Sequence, residues 1–80
     1  MSVYACETTA NSVDLRRAAL PSPLALVLGN ELIGVDTEVL DECDGVVQIP
    51  MFGMKNSLNV ATAGTIVMWE ALRQWEEAEP

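Results

Sequence analysis

The 80 residues read as one small α/β domain, a parallel sheet of about three strands with helices packed on it. Three observations carry that reading. Short apolar runs rich in β-formers, Val3-Tyr4-Ala5-Cys6, Leu24-Ala25-Leu26-Val27-Leu28 and Val46-Val47-Gln48-Ile49, are separated by segments of loop or helix composition. The second run lacks polar alternation, as a parallel strand covered on both faces does, which puts it in the middle of the sheet. The stretch from Leu58 to about Glu77 gives a final helix about 30 Å long.

Taken in order, Val3 to Cys6 form the first strand, and Glu7-Thr8-Thr9-Ala10-Asn11-Ser12 a loop. Val13 to Leu20 fit one or two helical turns with Leu15, Ala18 and Ala19 inward. Arg16 and Arg17 then lie either on a solvated face or as a phosphate contact. Pro21-Ser22-Pro23 is an extended entry into the second strand. Asp36 is placed to cap a short helix through Cys43, with Val39, Leu40 and Cys43 on one face, Glu38, Asp41, Glu42 and Asp44 toward water, and Gly45 ending it. The third strand, Val46 to Ile49, stops at Pro50, which has no N–H to donate to a ladder. Gly53 permits a turn with positive φ, and Ser57 has the chemistry of an N-cap for the last helix. Loops between a strand's carboxyl end and a helix's amino end are where open α/β sheets hold ligands.

The first three turns of that helix are apolar or small on nearly every face, so water should not surround it. Three strands and 80 residues supply too little mass to cover it, which predicts a homodimer through residues 58–77. Ala61, Ala63 and Gly64 allow close backbone approach to the sheet or to the partner, and Trp69, Leu72 and Trp75 supply the larger contacts.

Composition excludes several classes. Cys6 and Cys43 are too few for a disulfide framework and read as reduced core thiols of a cytoplasmic protein; with no His, no metal site is expected. The apolar runs fall well short of a membrane span, and no basic-plus-apolar leader opens the sequence. The net charge is −8 and the only cations are Arg16, Arg17, Lys55 and Arg73, so this chain alone should bind RNA weakly.

Two stretches carry a family resemblance. Residues 26 to 35 read LVLGNELIGV, and residues 49 to 70 read IPMFGMKNSLNVATAGTIVMWE. In composition, spacing and order they resemble motifs 2 and 3 of the SpoU/TrmH branch of the SPOUT RNA methyltransferases. The resemblance covers roughly residues 24 to 75. It implies an α/β fold with a C-terminal trefoil knot, whose loops hold S-adenosyl-L-methionine largely through main-chain groups. The matching cofactor positions are Gly29, Ile49, Met51 and Leu58; Ser57, Asn59 and Glu31 match positions near the reacting groups. Each has a plainer reading beside it: Gly29 as a strand-to-loop turn, Glu31 as an acceptor of backbone hydrogen bonds, Ser57 and Asn59 as helix-start residues. The family's motif 1, an Asn-x-Gly-Ala segment followed by a catalytic Arg, has no counterpart in these residues. Two functions follow as expectations. One is an S-adenosylmethionine-dependent tRNA or rRNA 2'-O-ribose methyltransferase, present as its C-terminal, cofactor-binding half and inactive without that Arg. The other is a non-catalytic knotted dimerisation module that binds the donor without methylating RNA. A dinucleotide-binding unit ranks below both, since no G-x-G-x-x-G follows a strand.

Overall fold

The computed structural model describes residues 1–29, 34–50 and 59–78. Within them the chain runs β1 (Ser2–Cys6), β2 (Val13–Asp14), a single 3₁₀ turn at Leu15–Arg17, β3 (Leu24–Leu28), α1 (Thr37–Glu42), β4 (Gly45–Gln48) and α2 (Val60–Ala78). The four strands form one parallel sheet in the order β2-β4-β1-β3. Their carboxyl ends therefore share one edge, and the segments that follow β1, β3 and β4 all leave from it.

The three expected strands are present with ends displaced by a residue, and a short fourth joins them. Val13 and Asp14 pair with Val47 and Gln48 instead of starting a helix. The helical turns expected over Val13 to Leu20 shrink to three residues, because Asp14 caps them by accepting from Arg16 N–H and Ala18 leaves in extended geometry. Leu15 is buried as expected, Ala18 half-buried, and Ala19 exposed; Leu20 takes the inward place expected of Ala19.

The apolar run at β3 lies at the edge of the sheet, not in its middle. β1 takes the interior place beside β4, its Ser2 to Cys6 paired with Leu24 to Leu28 on one side and its Tyr4 to Cys6 with Gly45 to Val47 on the other. The lack of alternation in β3 reflects apolar residues on both faces, and such a sequence is equally compatible with an edge. The consequence is partial exposure: Leu28 is 37% exposed and the rest of β3 half-buried.

Side chains on alternate positions of the strands, Tyr4, Cys6, Leu24, Leu26, Val47 and Ile49, meet Val67 and Ala71 of α2 together with Leu15, Leu20 and Trp75. α2 runs along β1 and β3 from the carboxyl edge back toward their amino ends. Gly64 lets it approach β3, since a Cβ there would sit 2.6 Å from Leu28 Cδ1. Polar bonds lock the far end: Trp75 Nε1–H donates to the Leu20 carbonyl at 2.7 Å, and Gln74 accepts from Leu20 N–H and donates to the Ala18 carbonyl, each at 2.8 Å.

α1 ends at Glu42, with Cys43 already extended, and Gly45 opens β4 instead of closing the helix. The glycine is needed there because the Tyr4 ring occupies the space of a side chain, 2.5 Å from where a Cβ would be. Leu40 of α1 and Cys43 just past it are half-buried, but Val39 is 40% exposed. At the start of α2, Asn59 is the capping residue, its Oδ1 accepting from Ala61 N–H at 2.8 Å and its carbonyl from Ala63 N–H at 2.9 Å. The capping expected of Ser57, and the turn expected at Gly53, lie outside the described residues.

Candidate functional site at the carboxyl edge of the sheet

Of the seven residues singled out in the sequence, Gly29, Ile49 and Asn59 are described; Glu31, Met51, Ser57 and Leu58 lie outside the described residues. The three are at one edge. Gly29 follows the last residue of β3, Ile49 follows the last of β4, and those strands flank β1. Asn59 heads α2, whose second turn packs on Leu28.

Gly29 is glycine for a reason internal to the chain. Its missing side chain would strike the carbonyl carbon of Gly34 and lie 2.5 Å from Val35 N and 2.8 Å from Gly34 Cα. The chain that leaves β3 thus returns to touch its own starting point, and that close approach of backbone leaves no room for a side chain on Gly29. Ile49 turns its side chain into the core. Asn59 Oδ1 is engaged in capping.

A residue the sequence reading passed over stands between them. Glu7, placed in a loop by its polar neighbours, is the first residue beyond β1, and its N–H continues the ladder to the Val47 carbonyl at 3.0 Å. Its Oε2 accepts from Val35 N–H at 2.8 Å and its Oε1 from Thr8 N–H at 3.1 Å. Glu7 has a neighbour in Cys6, whose thiol is pushed up by burial first and by the Glu7 charge second, so that it stays a protonated core thiol. Cys43 is likewise raised, by burial and then by Asp44.

Two of the four cations are held in ion pairs. Arg16 grips Asp14, with Nη2 2.6 Å from Oδ2, and those hydrogen bonds hold the Asp14 carboxyl down at about 2. Arg73 bridges Glu70 at 2.8 Å and Glu77 at 3.0 Å, and with Gln74 it brings Glu70 to about 2. The phosphate-contact reading of Arg16 therefore competes with an ion pair already made. Among the described residues no cluster of His, Cys, Asp and Glu could hold a metal ion, and no helix is long and apolar enough to cross a membrane. A shallow apolar depression beside Tyr4, Leu20, Pro21 and Trp75 lies at the opposite end of the sheet, remote from these loops.

Residues 1–69 match the model of the SpoU rRNA methylase family. The chain belongs to that family. It is 47% identical over 66 residues to a tRNA (guanosine(18)-2'-O)-methyltransferase of Aquifex aeolicus, covering 82% of this chain and 31% of the relative. It is 40% identical over 73 residues to the enzyme of that name from Thermus thermophilus, covering 91% and 38%. Among solved structures, the A. aeolicus TrmH/SpoU tRNA modifying enzyme superposes with a TM-score of 0.82 at 42% identity, over 95% of this chain and 39% of that one. The SpoU methyltransferase AviRb from Streptomyces viridochromogenes, solved in complex with the cofactor AdoMet, gives 0.84 at 31% identity over 98% and 29%. The chain thus spans about a third of the length of the curated relatives it matches.

Proposed function

We propose that this chain is the donor-binding part of an S-adenosyl-L-methionine-dependent RNA 2'-O-ribose methyltransferase. The observation that carries the reading is the shared carboxyl edge, where Gly29, Ile49 and the head of α2 come together around the end of β1. The residues there fit the donor: main-chain groups of Gly29 and Ile49 beside apolar side chains suit the edge and face of an adenine, and the Glu7 carboxylate suits a cationic neighbour. When bound, the donor supplies an electrophilic methyl group on a sulfonium. Gly29, Ile49, Met51 and Leu58 are the residues assigned to hold it. Ser57 and Asn59 are assigned to orient the ribose hydroxyl and Glu31 to take up its proton, work that depends on position as much as on basicity.

The outer stripe of α2, with Met68 54%, Trp69 71% and Leu72 51% exposed on the single chain, supports a homodimer through that helix. The family's trefoil knot belongs to the same proposal. A second reading, a module that dimerises and binds the donor without turning over RNA, is favoured by one observation: twelve acids against four bases.

Titration calorimetry with S-adenosylmethionine and S-adenosylhomocysteine, run beside light scattering, tests both. Donor binding by a dimer is the expected result, and methyl incorporation into bulk tRNA or rRNA would select the enzyme over the module and overturn the inference from charge. Binding without incorporation selects the module, and no binding of either nucleoside overturns the proposal.

A further inference from the structure

We infer that Glu7 is a positioning residue for the donor, a latch that clamps the two ends of the 29–35 segment together and so sets the main-chain groups of Gly29. The inference rests on the proposed function and adds to it a residue outside the two family motifs. Four observations converge on it. β1 is an interior strand, and the ladder bond from Glu7 N–H to Val47 fixes the Glu7 backbone between the ends of β3 and β4. The Glu7 side chain then reaches across the β3 side to accept from Val35 N–H at 2.8 Å, a contact spanning 28 residues of sequence. Gly34 lies flat against the carboxylate with φ +72°, and a Cβ on it would collide with Glu7 Oε2, so the turn is shaped to that oxygen. On the far side of Gly34 and Val35 lies Gly29, with no room for a methyl between. Carboxylate, returning backbone and strand end are stacked in one contiguous layer.

The chemistry decides how Glu7 acts. Both of its oxygens accept from main-chain N–H groups, Val35 and Thr8, so it is an anchor and not a base. A bond from an amide to an ionised carboxylate is about twice as strong as a neutral one, and it is the polar tie between the end of β1 and the return of this segment. Without it the contact between the two glycines, which have no side chains to interlock, loses that polar support. The Gly29 main chain is then free to shift at the point where the proposed donor is read.

The test uses the full chain in two variants, Glu7→Ala and Glu7→Gln. The amide of Gln keeps an acceptor for Val35 N–H, whereas Ala removes it. Loss of a charge-assisted bond predicts that Glu7→Ala weakens binding of S-adenosylmethionine and S-adenosylhomocysteine by at least about tenfold, with Glu7→Gln recovering most of it. Amide exchange of Val35, which needs no ligand, should be slow in the parent chain and in Glu7→Gln, and fast in Glu7→Ala. Equal donor affinity in Glu7→Ala and the parent overturns the latch, and so does a Val35 amide that exchanges rapidly in the parent chain, even if Glu7→Ala fails to fold. A parent chain that binds neither nucleoside but protects Val35 sinks the proposed function instead, so the two failures are told apart.

Discussion

Replacing Gly29 by Ala is the sharpest probe of the edge, because one methyl group must enter a space bounded by backbone. It would stand 2.5 Å from Val35 N and 2.8 Å from Gly34 Cα, where ordinary contacts begin at 3.4 Å. The Gly34–Val35 segment must therefore retreat by about 1 Å toward the Glu7 carboxylate on its other side, and the bond from Val35 N–H, already 2.8 Å long, must break or rearrange. Overpacking of this kind costs about 1–3 kcal/mol. Losing the bond to Glu7 adds about 1.5–3 kcal/mol, and the stiffer unfolded chain returns about 0.4–1 kcal/mol. The net is about 1.5–5.5 kcal/mol, against roughly 4–12 kcal/mol of stability for a domain of this size. Urea melts followed by tryptophan fluorescence measure the first effect and calorimetry the loss of donor binding. A Gly29→Ala chain that melts within about 0.5 kcal/mol of the parent, the range of a neutral surface change, and binds the donor equally well would refute the close contact and the latch together.

Three further outcomes are expected. Trp69→Lys, on a residue 71% exposed, should convert the light-scattering mass from dimer to monomer while leaving the melt of dilute protein within about 0.5 kcal/mol; an unchanged mass would remove α2 from the interface. Trp75→Phe deletes the 2.7 Å bond to the Leu20 carbonyl and should lower stability by about 1–3 kcal/mol in urea melts, because that acceptor is left unpaired under the helix. Acid should destabilise the fold through Glu70 and Asp14. Both are about 2 when folded, below their ordinary 4.5 and 3.8, so each favours the folded state above its ordinary value and loses that effect as the pH falls toward 2. Melts from pH 6 to 2 on Glu70→Gln should show a flatter decline than the parent, and added salt should shrink the difference, since Arg73 is half exposed.

Much of the fold was legible, and the exceptions share a cause. Strands and the last helix announce themselves by apolar period and composition, which are local, and β1, β3, β4 and α2 lie within two residues of where those signals put them. Strand order is not local. Nothing within Leu24 to Leu28 distinguishes a strand with two neighbours from one with a single neighbour, and β3 proved to have one. β2 was missed because two residues make no pattern; only the partner strand Val47–Gln48 turns Val13 and Asp14 into a strand. The glycines show the same division. That Gly29 and Gly45 resist a side chain could be suspected from the sequence, but what fills the space, the Gly34–Val35 backbone in one case and the Tyr4 ring in the other, depends on contacts between distant segments. Glu7 was hidden for a different reason, since its polar neighbours look like loop and its partner Val35 is an amide, which leaves no mark in a sequence.

The acidity of the chain illustrates how a sum conceals an arrangement. At the carboxyl edge the described carboxylates already have donors: Glu7 has Val35 and Thr8, Asp14 has Arg16, and Asp36 caps α1 by accepting from Glu38 N–H. Glu70, Glu76 and Glu77 lie ten or more residues along α2, which puts them roughly 15–25 Å from its head. Fields from exposed charges at that distance fade, because the Debye length at physiological salt is about 8 Å. Glu38, Asp41 and Glu42 on α1 are the nearer exposed acids. The total of −8 therefore governs how a distant polyanion is steered toward the whole surface, while the chemistry at the edge is set by groups within a few ångströms, most of them main-chain N–H and carbonyl groups that no charge count includes.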